Sequence, residues 1–296
     1  MKKVAVIIVT YNRLQLLKEE IQSIRKQTYT NFEIVVVNNG STDGTLDWLN
    51  TEKDIITITQ ENQGCTGGMF TGIKYAVENG YDICWVMDDD VEYHENSLEE
   101  LMRSYDMLGG EVGYLCSKVE GINGEPMNVP VVDIRPTGNG YGYYYEYIAE
   151  QMIKTEMATF VSLLFSSDVV KKVGLPLKEF FIWSDDYEFT ERISKHYPCY
   201  LCCKSVVVHK RTIQGALSFN TEKDPRRLKN YFYYFRNGAY IVKKYKGNKA
   251  YARHLLGLSV RMLRCLFKGE FLKSQVIIKS IFSALTFHPV VKYPHA

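Results

Sequence analysis

The chain has 296 residues, and its composition of 46% hydrophobic and 24% charged residues excludes an intrinsically disordered protein. Its net charge of +2 hides a split, because residues 226–296 hold 15 of the 36 basic residues and one of the 34 acidic residues. Such a basic tail suggests an anionic partner, either a membrane or a nucleic acid. The odd number of cysteines, seven, argues against a disulfide scaffold and favours a reducing compartment.

Residues 1–110 alternate between short β-branched runs and helical patterns. The runs lack polar alternation, as expected of strands buried on both faces, and predict strands at 4–9, 32–37, 55–59 and 83–87. The intervening patterns predict helices at 14–24, 46–50, 67–78 and 98–108, the last with Ser97 and Glu100 as a capping box. This order predicts an α/β fold with a mostly parallel, Rossmann-like sheet flanked by helices.

Residues 111–225 have a mixed pattern, and the chain after Pro225 is predicted to be mostly helical. A Gly/Tyr-rich segment at 138–147 indicates a loop or hairpin. The other elements predicted in this region are strands at 156–165, 200–203 and 206–209 and helices at 168–173 and 187–195.

Three consecutive carboxylates, Asp88 to Asp90, follow the strand predicted at 83–87. Ligands of open α/β sheets bind beyond the carboxyl ends of the strands. Because residues i and i+2 of an extended chain point the same way, Asp88 and Asp90 could share one cation. Oxygen ligands suit Mg²⁺ or Mn²⁺, which in turn suits a diphosphate. The alternative is a solvated acidic turn.

Three further features have both a structural and a functional interpretation. The Gly-rich segment 62–68 precedes a helix and is either a plain loop or a phosphate-binding turn. Asp185 and Asp186 begin a predicted helix beside Trp183, so they are either helix caps or a general base next to an aromatic platform. His209 ends a Val-rich strand and is either structural or a third metal ligand.

Together these segments resemble the family 2 glycosyltransferases with the GT-A fold. The matching segments are VIIVTYNR at 6–13, VVVNNGSTDGT at 35–45, the 62–68 loop with Gly72, and WVMDDDV at 85–91. The 62–68 and 85–91 motifs are most similar to the galactofuranosyltransferase and rhamnosyltransferase branch. FIWSDDYEF at 181–189 is similar to the acceptor-side motif of that branch.

The resemblance implies roles for individual residues. Asp186 is implied as the general base, with Asp185 as the alternative, and Trp183 with Asp185 as acceptor contacts. A Mn²⁺ or Mg²⁺ ion is implied on Asp88, Asp90 and His209. The residues implied to bind the nucleotide-sugar are Thr10, Tyr11, Arg13, Asn38, Asn39, Asn62, Gly67, Gly68, Asp88 and Asp89. The family commonly has Asp at the position of Asn38, and an amide there can donate as well as accept, so uracil and thymine both stay open.

The function implied by the resemblance is inverting, metal-dependent transfer of a sugar onto a glycan or lipid-linked acceptor in bacterial cell-surface polysaccharide synthesis. Galactofuranose from UDP-galactofuranose is the preferred donor sugar. Rhamnose from dTDP-rhamnose and a non-catalytic sugar-nucleotide or polysaccharide-binding protein are the alternatives. Residues 1–110 would form the donor half, 111–225 the acceptor and catalytic-base half, and 226–296 a helical region that associates with a membrane.

The basic tail contains a predicted amphipathic helix at 249–268. At 100° per residue, one sector is basic and the opposite side is apolar; the basic residues are Lys249, Arg253, Arg261, Arg264 and Lys268, and the apolar ones Leu255, Leu258, Met262, Leu263 and Leu266. The helix either packs on the body or lies in an anionic membrane interface. With neither a signal peptide nor a spanning segment expected, we predict a cytoplasmic protein peripherally bound to the inner face of the membrane, with no nucleic-acid partner.

Overall fold

The structure, a computed structural model, describes residues 1–211 and 217–295 and divides them into two compact units. Of the described residues, the first unit contains 1–178, 186–211 and 291–295. The second unit contains 179–185 and 217–290. The C-terminal helical region therefore forms one unit together with a short segment that immediately precedes Asp186 in the chain.

The first unit is built on a central sheet with helices on both faces, so the predicted α/β class is confirmed. The strands are β1 Val4–Thr10, β2 Phe32–Asn38, β3 Ile55–Thr59, β4 Ile83–Asp88, β5 Val91–Tyr93, β6 Leu115–Glu120, β7 Val131–Val132, β8 Met152–Met157, β9 Leu163–Ser166 and β10 Tyr200–His209. The helices are α1 Leu14–Ile24, α2 Thr45–Leu49, α3 Gly64–Glu78, α4 Ser97–Met107, α5 Ser167–Val173 and α6 Asp185–Ser194, with a 3₁₀ turn at Lys178–Phe180.

The strand order is β3-β2-β1-β4-β9-β6-β10-β8-β7, with β5 paired to β10. The four strands β1, β2, β3 and β4 are parallel to one another. Strand β9 is antiparallel to both of its neighbours, β4 and β6. All seven residues of β1 are buried, because its alternate side chains pack on opposite layers. Helices α1 and α4 cover one face of the sheet, and α3, α5 and α6 cover the other.

Two glycines let α3 approach the sheet closely. A Cβ added at Gly68 would lie 2.3 Å from Val9 Cγ1, and one at Gly72 would lie 2.4 Å from Ile7 Cγ2. Both separations are far shorter than a carbon–carbon contact of about 3.5–4.0 Å. Any larger residue would therefore push α3 away from β1.

The structure adds three strands that were not predicted, β5, β6 and β7, and it also differs from the predicted elements as follows. The capping box is wrong, because Ser97 Oγ donates to the Val206 carbonyl at 2.7 Å and Glu100 pairs with Arg103 at 3.1 Å. The strand predicted at 156–165 is two strands, β8 and β9, that pair with different neighbours. The two strands predicted within 200–209 form one strand with a register shift between Cys202 and Val206.

All seven cysteines are free. Cys199 and Cys202 have a Cys-x-x-Cys spacing, but they belong to core clusters on opposite faces of the sheet. Because the two residues are three positions apart in an extended chain, their side chains point in opposite directions. This spacing therefore does not bring the two thiols together.

The second unit contains two helices, α7 Pro225–Phe267 and α8 Phe271–Thr286. Asp224 caps α7 by accepting from the Arg226 N–H at 2.9 Å, and α7 is interrupted at Gly247, where φ is 78°. Its core is aromatic and aliphatic and includes Phe219, Leu228, Tyr231, Phe235, Leu258, Cys265, Val276 and Ile277. Over the described ranges 1–211 and 217–295, no helix is both long and apolar enough to cross a bilayer.

Candidate active site

The carboxylates predicted to bind a metal lie where β4 ends. Register pairs Thr10 with Asn38 and Val9 with Asp88, so the ends of β1, β2 and β4 meet at one edge of the sheet. Asp88 is the last residue of β4, and Asp89 and Asp90 are buried in the turn before β5. The sheet thus brings chemistry-bearing side chains from distant parts of the sequence to a single edge.

Arg13 and Thr10 hold the second and third carboxylates. Arg13 Nη1 lies 2.9 Å from Asp89 Oδ1 and 2.8 Å from Asp90 Oδ2, and Thr10 Oγ1 donates to Asp89 Oδ2 at 2.8 Å. Burial alone would lower the pKa of Arg13, but the three negative charges nearby raise it. Arg13, predicted to bind the nucleotide, is therefore ion-paired with two of the acidic residues.

His209, at the end of β10, reaches the same carboxylates. Antiparallel pairing with β5 sets His209 opposite Val91, and its Nε2 lies 3.0 Å from Asp90 Oδ1. Its Nδ1 lies 2.9 Å from Asn128 Oδ1. An amide oxygen only accepts, so Nδ1 carries the proton in this contact. Nε2 is then the nitrogen that can ligate a metal, an arrangement typical of metal-binding histidines.

One ligand atom each from Asp88, Asp90 and His209 lies within 4.8 Å of the others. Burial, reinforced by the charge of Asp90, raises the pKa of Asp88 to about 6. Burial also acts to raise the pKa of Asp90, but its hydrogen bond with His209 and its ion pair with Arg13 outweigh burial and lower that pKa. Two carboxylates that repel each other, with an imidazole beside them, fit a divalent cation such as Mn²⁺ or Mg²⁺.

Asn128 and Glu20 are two residues of this site that the sequence analysis missed. Glu20, on α1, is buried with its Oε2 unpaired, while its Oε1 lies 3.4 Å from the Tyr93 hydroxyl. Burial first, and then the charges of the three aspartates, raise the pKa of Glu20 well above its usual value. A helical pattern offers no sign that a Glu points inward, and Asn128 comes from an irregular segment.

The amides predicted to contact the nucleotide-sugar tie together the turns after β2 and β3. Asn38 Oδ1 accepts from the Ser41 N–H at 3.1 Å. Asn39 donates to the Gly64 carbonyl at 2.9 Å and to Asn62 Oδ1 at 3.3 Å. These hydrogen bonds fix the shape of the sheet edge beside β1.

Tyr11, by contrast, is half exposed at the end of β1. Gly67 and Gly68 lie inside α3, which starts at Gly64, three residues before the predicted start. Gly68 contacts Val9, and this close packing is a structural reason for a glycine there.

The segment before the predicted general base is strained. Phe181, Trp183 and Ser184 all have φ between 65° and 67°, a left-handed conformation that costs of order 1–3 kcal/mol per residue. Asp186 follows in the first turn of α6, where its Oδ1 accepts from the Tyr187 N–H at 2.8 Å and its carbonyl accepts from Thr190 Oγ1 at 2.7 Å.

Asn237 on α7 stabilises this strained segment within the second unit. Its fully buried side-chain amide donates to the carbonyls of Phe180, Ile182 and Trp183 at 3.0, 3.3 and 2.9 Å. Arg236 donates to the Glu179 carbonyl at 2.6 Å. The sequence analysis did not single out either residue, because the contacts join positions more than 50 residues apart.

Trp183, predicted to contact the acceptor, packs in the second unit against two tyrosines of α7. Its ring centroid lies 4.9 Å from that of Tyr231 and 6.4 Å from that of Tyr234. Asp185 is buried at the start of α6.

Known proteins resemble this chain in sequence and in fold. The family model for glycosyl transferase family 2 matches residues 5–174. An uncharacterized glycosyltransferase of Rickettsia prowazekii is 39% identical over 97 residues, which is 32% of this chain and 30% of that protein. Glycosyltransferase AglE of Haloferax volcanii is 27% identical over 206 residues, 64% of this chain and 60% of that protein. The chain thus spans less than two thirds of these relatives.

Two solved structures share the fold at low sequence identity. TarS of S. aureus superposes with a TM-score of 0.56 at 18% identity, over 81% of this chain and 40% of that chain. GalNAc-T7, in a structure with UDP, GalNAc and Mn²⁺, gives a TM-score of 0.60 at 14% identity, over 81% of this chain and 51% of that one. The family model covers more than half of the sequence, including β1 to β4 and the three aspartates, and the chain belongs to glycosyl transferase family 2.

Proposed function

We propose that this chain is an inverting, metal-dependent glycosyltransferase with a UDP-sugar donor. The observation that carries the proposal is the convergence of Asp88, Asp90 and His209 at the end of a buried parallel strand, in a family 2 domain. Structures of proteins with this fold support the donor class, since TarS is described in complex with UDP and with UDP-GlcNAc, and GalNAc-T7 with UDP and Mn²⁺.

Within this class we favour galactofuranose from UDP-galactofuranose, with rhamnose from dTDP-rhamnose as the alternative. The motifs at 62–68, 85–91 and 181–189 support this choice. Asn38, at the end of β2, offers an amide where a carboxylate is common. An amide can accept from an imide N–H or donate to a carbonyl, and uracil and thymine present both groups.

The proposed acceptor is a glycan or a lipid-linked saccharide in bacterial cell-surface polysaccharide synthesis. We place the enzyme at the inner face of the cytoplasmic membrane, where such lipids are accessible. The support is the charge of the C-terminal region, which holds 15 basic residues and one acidic residue over 226–296. Anionic lipids attract such a segment.

Residues of this chain have separate tasks in the proposed reaction. Asp88, Asp90 and His209 would hold the cation, which, when bound, neutralises charge on the departing nucleotide diphosphate. Arg13 and Thr10 fix the orientation of Asp89 and Asp90. Asp186, or alternatively Asp185, accepts the proton of an acceptor hydroxyl.

The acceptor oxygen attacks the anomeric carbon from the face opposite the diphosphate. The new glycosidic bond forms as the bond to the diphosphate oxygen breaks, and the electron pair leaves with the diphosphate. One displacement of this kind inverts the anomeric configuration without a covalent enzyme intermediate, in contrast to retaining glycosidases.

A donor screen tests the proposal. UDP-galactofuranose, dTDP-rhamnose and common UDP-hexoses are each incubated with the full chain, Mn²⁺ and candidate saccharide acceptors, and nucleotide release is measured. We expect one donor to be consumed, with activity abolished by EDTA and restored by Mn²⁺. A donor that binds but is never consumed with any acceptor would instead indicate a non-catalytic binding protein.

A further inference from the structure

The part of α7 after Gly247 exposes an apolar stripe that its own unit does not cover. Leu256, Val260, Leu263 and Phe267 are all exposed, with Phe267 at 87% and Leu256 at 66%. They are separated by four, three and four residues, so they share one face of the helix.

Helix α8 exposes a second stripe of the same kind. Phe271, Ile278, Phe282 and Leu285 are all exposed, with Phe271 at 70% and Phe282 at 65%. Their spacing of seven, four and three residues again defines one helix face. Phe267 and Phe271 bracket the short connection between the two helices.

These stripes are not the faces that hold the second unit together. Leu258 and Cys265 of α7 and Val276 and Ile277 of α8 are buried in the unit's core. Of the apolar side predicted for 249–268, Leu255, Leu258 and Met262 pack in or against this core, whereas Leu263 and Leu266 are exposed. Each helix therefore has a covered apolar face and an exposed one.

Basic side chains flank the stripe on α7. Arg253 lies three residues before Leu256, and Arg264 lies four residues after Val260, so both are neighbours of the stripe on the helix surface. Lys249 and Lys268 are also exposed near its two ends, and Lys279 is exposed beside Ile278 on α8.

One member of the basic sector faces inward instead. Arg261 donates to Asn220 Oδ1 at 2.7 Å and lies 4.9 Å from the Phe219 ring centroid. Glu270, the one acidic residue of 226–296, is paired with Lys273 at 2.9 Å. The cations beside the stripes therefore outnumber the single carboxylate of this region.

We propose that the two stripes and their flanking cations form a lipid-facing surface that seats α7 and α8 on an anionic bilayer. We define this surface as Lys249, Arg253, Leu256, Val260, Leu263, Arg264, Phe267, Lys268, Phe271, Ile278, Lys279, Phe282 and Leu285. It rests on the membrane location proposed above and is independent of the transfer chemistry.

The positive charge of this surface favours an anionic bilayer over a second copy of the chain. A second copy of the chain would bring two cationic surfaces together, whereas an anionic bilayer offers apolar interior and negative head groups at once. An amphipathic helix that binds such an interface buries its apolar residues at the acyl boundary and keeps Lys and Arg at head-group level. The exposed phenylalanines on both stripes match this arrangement.

The test is co-sedimentation of the full chain with vesicles of phosphatidylcholine alone or mixed with phosphatidylglycerol. We expect binding to the anionic vesicles only, weakened by salt. The double variant Phe267→Ser/Phe282→Ser should bind at least about tenfold more weakly, because two large apolar side chains no longer enter the bilayer. Arg253→Gln, Arg264→Gln and Lys268→Gln should each weaken binding about fivefold.

Matched controls use residues of equal exposure outside the surface. Ile134→Ser and Lys53→Gln lie in the first unit and should leave binding unchanged. All variants should keep wild-type thermal unfolding and wild-type donor turnover with a water-soluble acceptor, so loss of vesicle binding is separable from failure of the transferase.

Two results would overturn the proposal of a lipid-facing surface. One is wild-type binding to anionic vesicles by the Phe267→Ser/Phe282→Ser variant. The other is a concentration-dependent dimer of the wild-type chain, seen by analytical ultracentrifugation, that this double variant dissociates, because the occupant would then be a second copy.

Discussion

The strand ends of the first unit and the helices of the second present their functional residues in opposite ways. At the strand ends, Asp89, Asp90 and His209 are buried, with Arg13 paired to both aspartates and His209 hydrogen-bonded to Asp90. On α7 and α8, the candidate residues are exposed, and the buried side packs the helices together and holds the 179–185 segment. Buried polar residues therefore carry the proposed chemistry, whereas exposed apolar residues carry the proposed membrane attachment.

The buried strand ends could be predicted from the sequence more fully than the exposed helix faces. The strands β1 to β4 were predicted to within a residue or two, because β1, β2 and β4 are apolar runs that are largely buried and β3 is a β-branched strand at the sheet edge. Their carboxyl ends then placed Asp88 and Asp90 at the edge where ligands bind. The cluster with His209 was predicted from family resemblance, and the structure brings the three residues together.

The rest could not be predicted for physical reasons. Apolar residues recur at helical spacing on two faces of α7, and periodicity does not tell which face is covered. Asn128 contacts His209 across 81 positions, and Asn237 reaches Trp183 across 54. Such contacts form only when the chain folds, and no local sequence pattern predicts them.

The largest effect is expected at the proposed general base. Asp186→Asn removes the proton acceptor but keeps the size of the side chain, so transfer should fall by about 10²–10⁴-fold. Nucleotide binding in the presence of Mn²⁺, measured by calorimetry, should be retained. Asp185→Asn is the matched control, and a larger loss in that variant than in Asp186→Asn would reverse the assignment of the base.

Asn237→Ala tests whether the helical unit also shapes the acceptor side. Three carbonyls of the strained segment lose a buried donor, and each unpaired group costs about 1–3 kcal/mol. We expect acceptor kcat/KM to fall by about tenfold or more. Donor KM and slow donor hydrolysis should stay unchanged, since the strand ends are intact.

Asn230→Ala, on the same helix, is the control for Asn237→Ala and should retain acceptor kcat/KM. Equal losses of donor and acceptor kinetics in Asn237→Ala would mean that the amide supports overall folding instead of the 179–185 segment.

Asn128→Ala tests the assignment of His209 as a metal ligand. Without the amide oxygen, the His209 ring loses the partner that fixes its orientation. Second-layer changes of this kind typically reduce metal affinity by about 10–100-fold. Mn²⁺ titration followed by electron paramagnetic resonance measures the effect. Unchanged affinity would argue that His209 is structural.

The smallest effect concerns Glu20 and the pH dependence of stability. Its pKa is raised in the folded chain above the usual 4.5, mainly by burial, so the folded state retains a proton that the unfolded state loses. The contribution of Glu20 to stability should therefore be fully present below pH 4.5 and decline above it, by up to about 1.4 kcal/mol per pH unit, until the folded-state pKa is reached.

Glu20→Gln should make that slope shallower, most clearly above pH 6, where Asp88 no longer contributes, and should raise the free energy of unfolding at neutral pH. Urea unfolding of the metal-free protein across the pH range measures both quantities. A slope that is unchanged in Glu20→Gln would mean that other groups cause it.

The central claim is that Asp88, Asp90 and His209 bind the divalent cation on which sugar transfer depends. The most direct measurement is sugar transfer by the wild-type chain and by Asp90→Ala, with Mn²⁺ and with EDTA, alongside calorimetric titration of UDP under the same conditions. The account predicts Mn²⁺-dependent UDP binding and transfer in the wild type, and loss of both in Asp90→Ala and in EDTA. Wild-type transfer that continues at full rate in EDTA would contradict it.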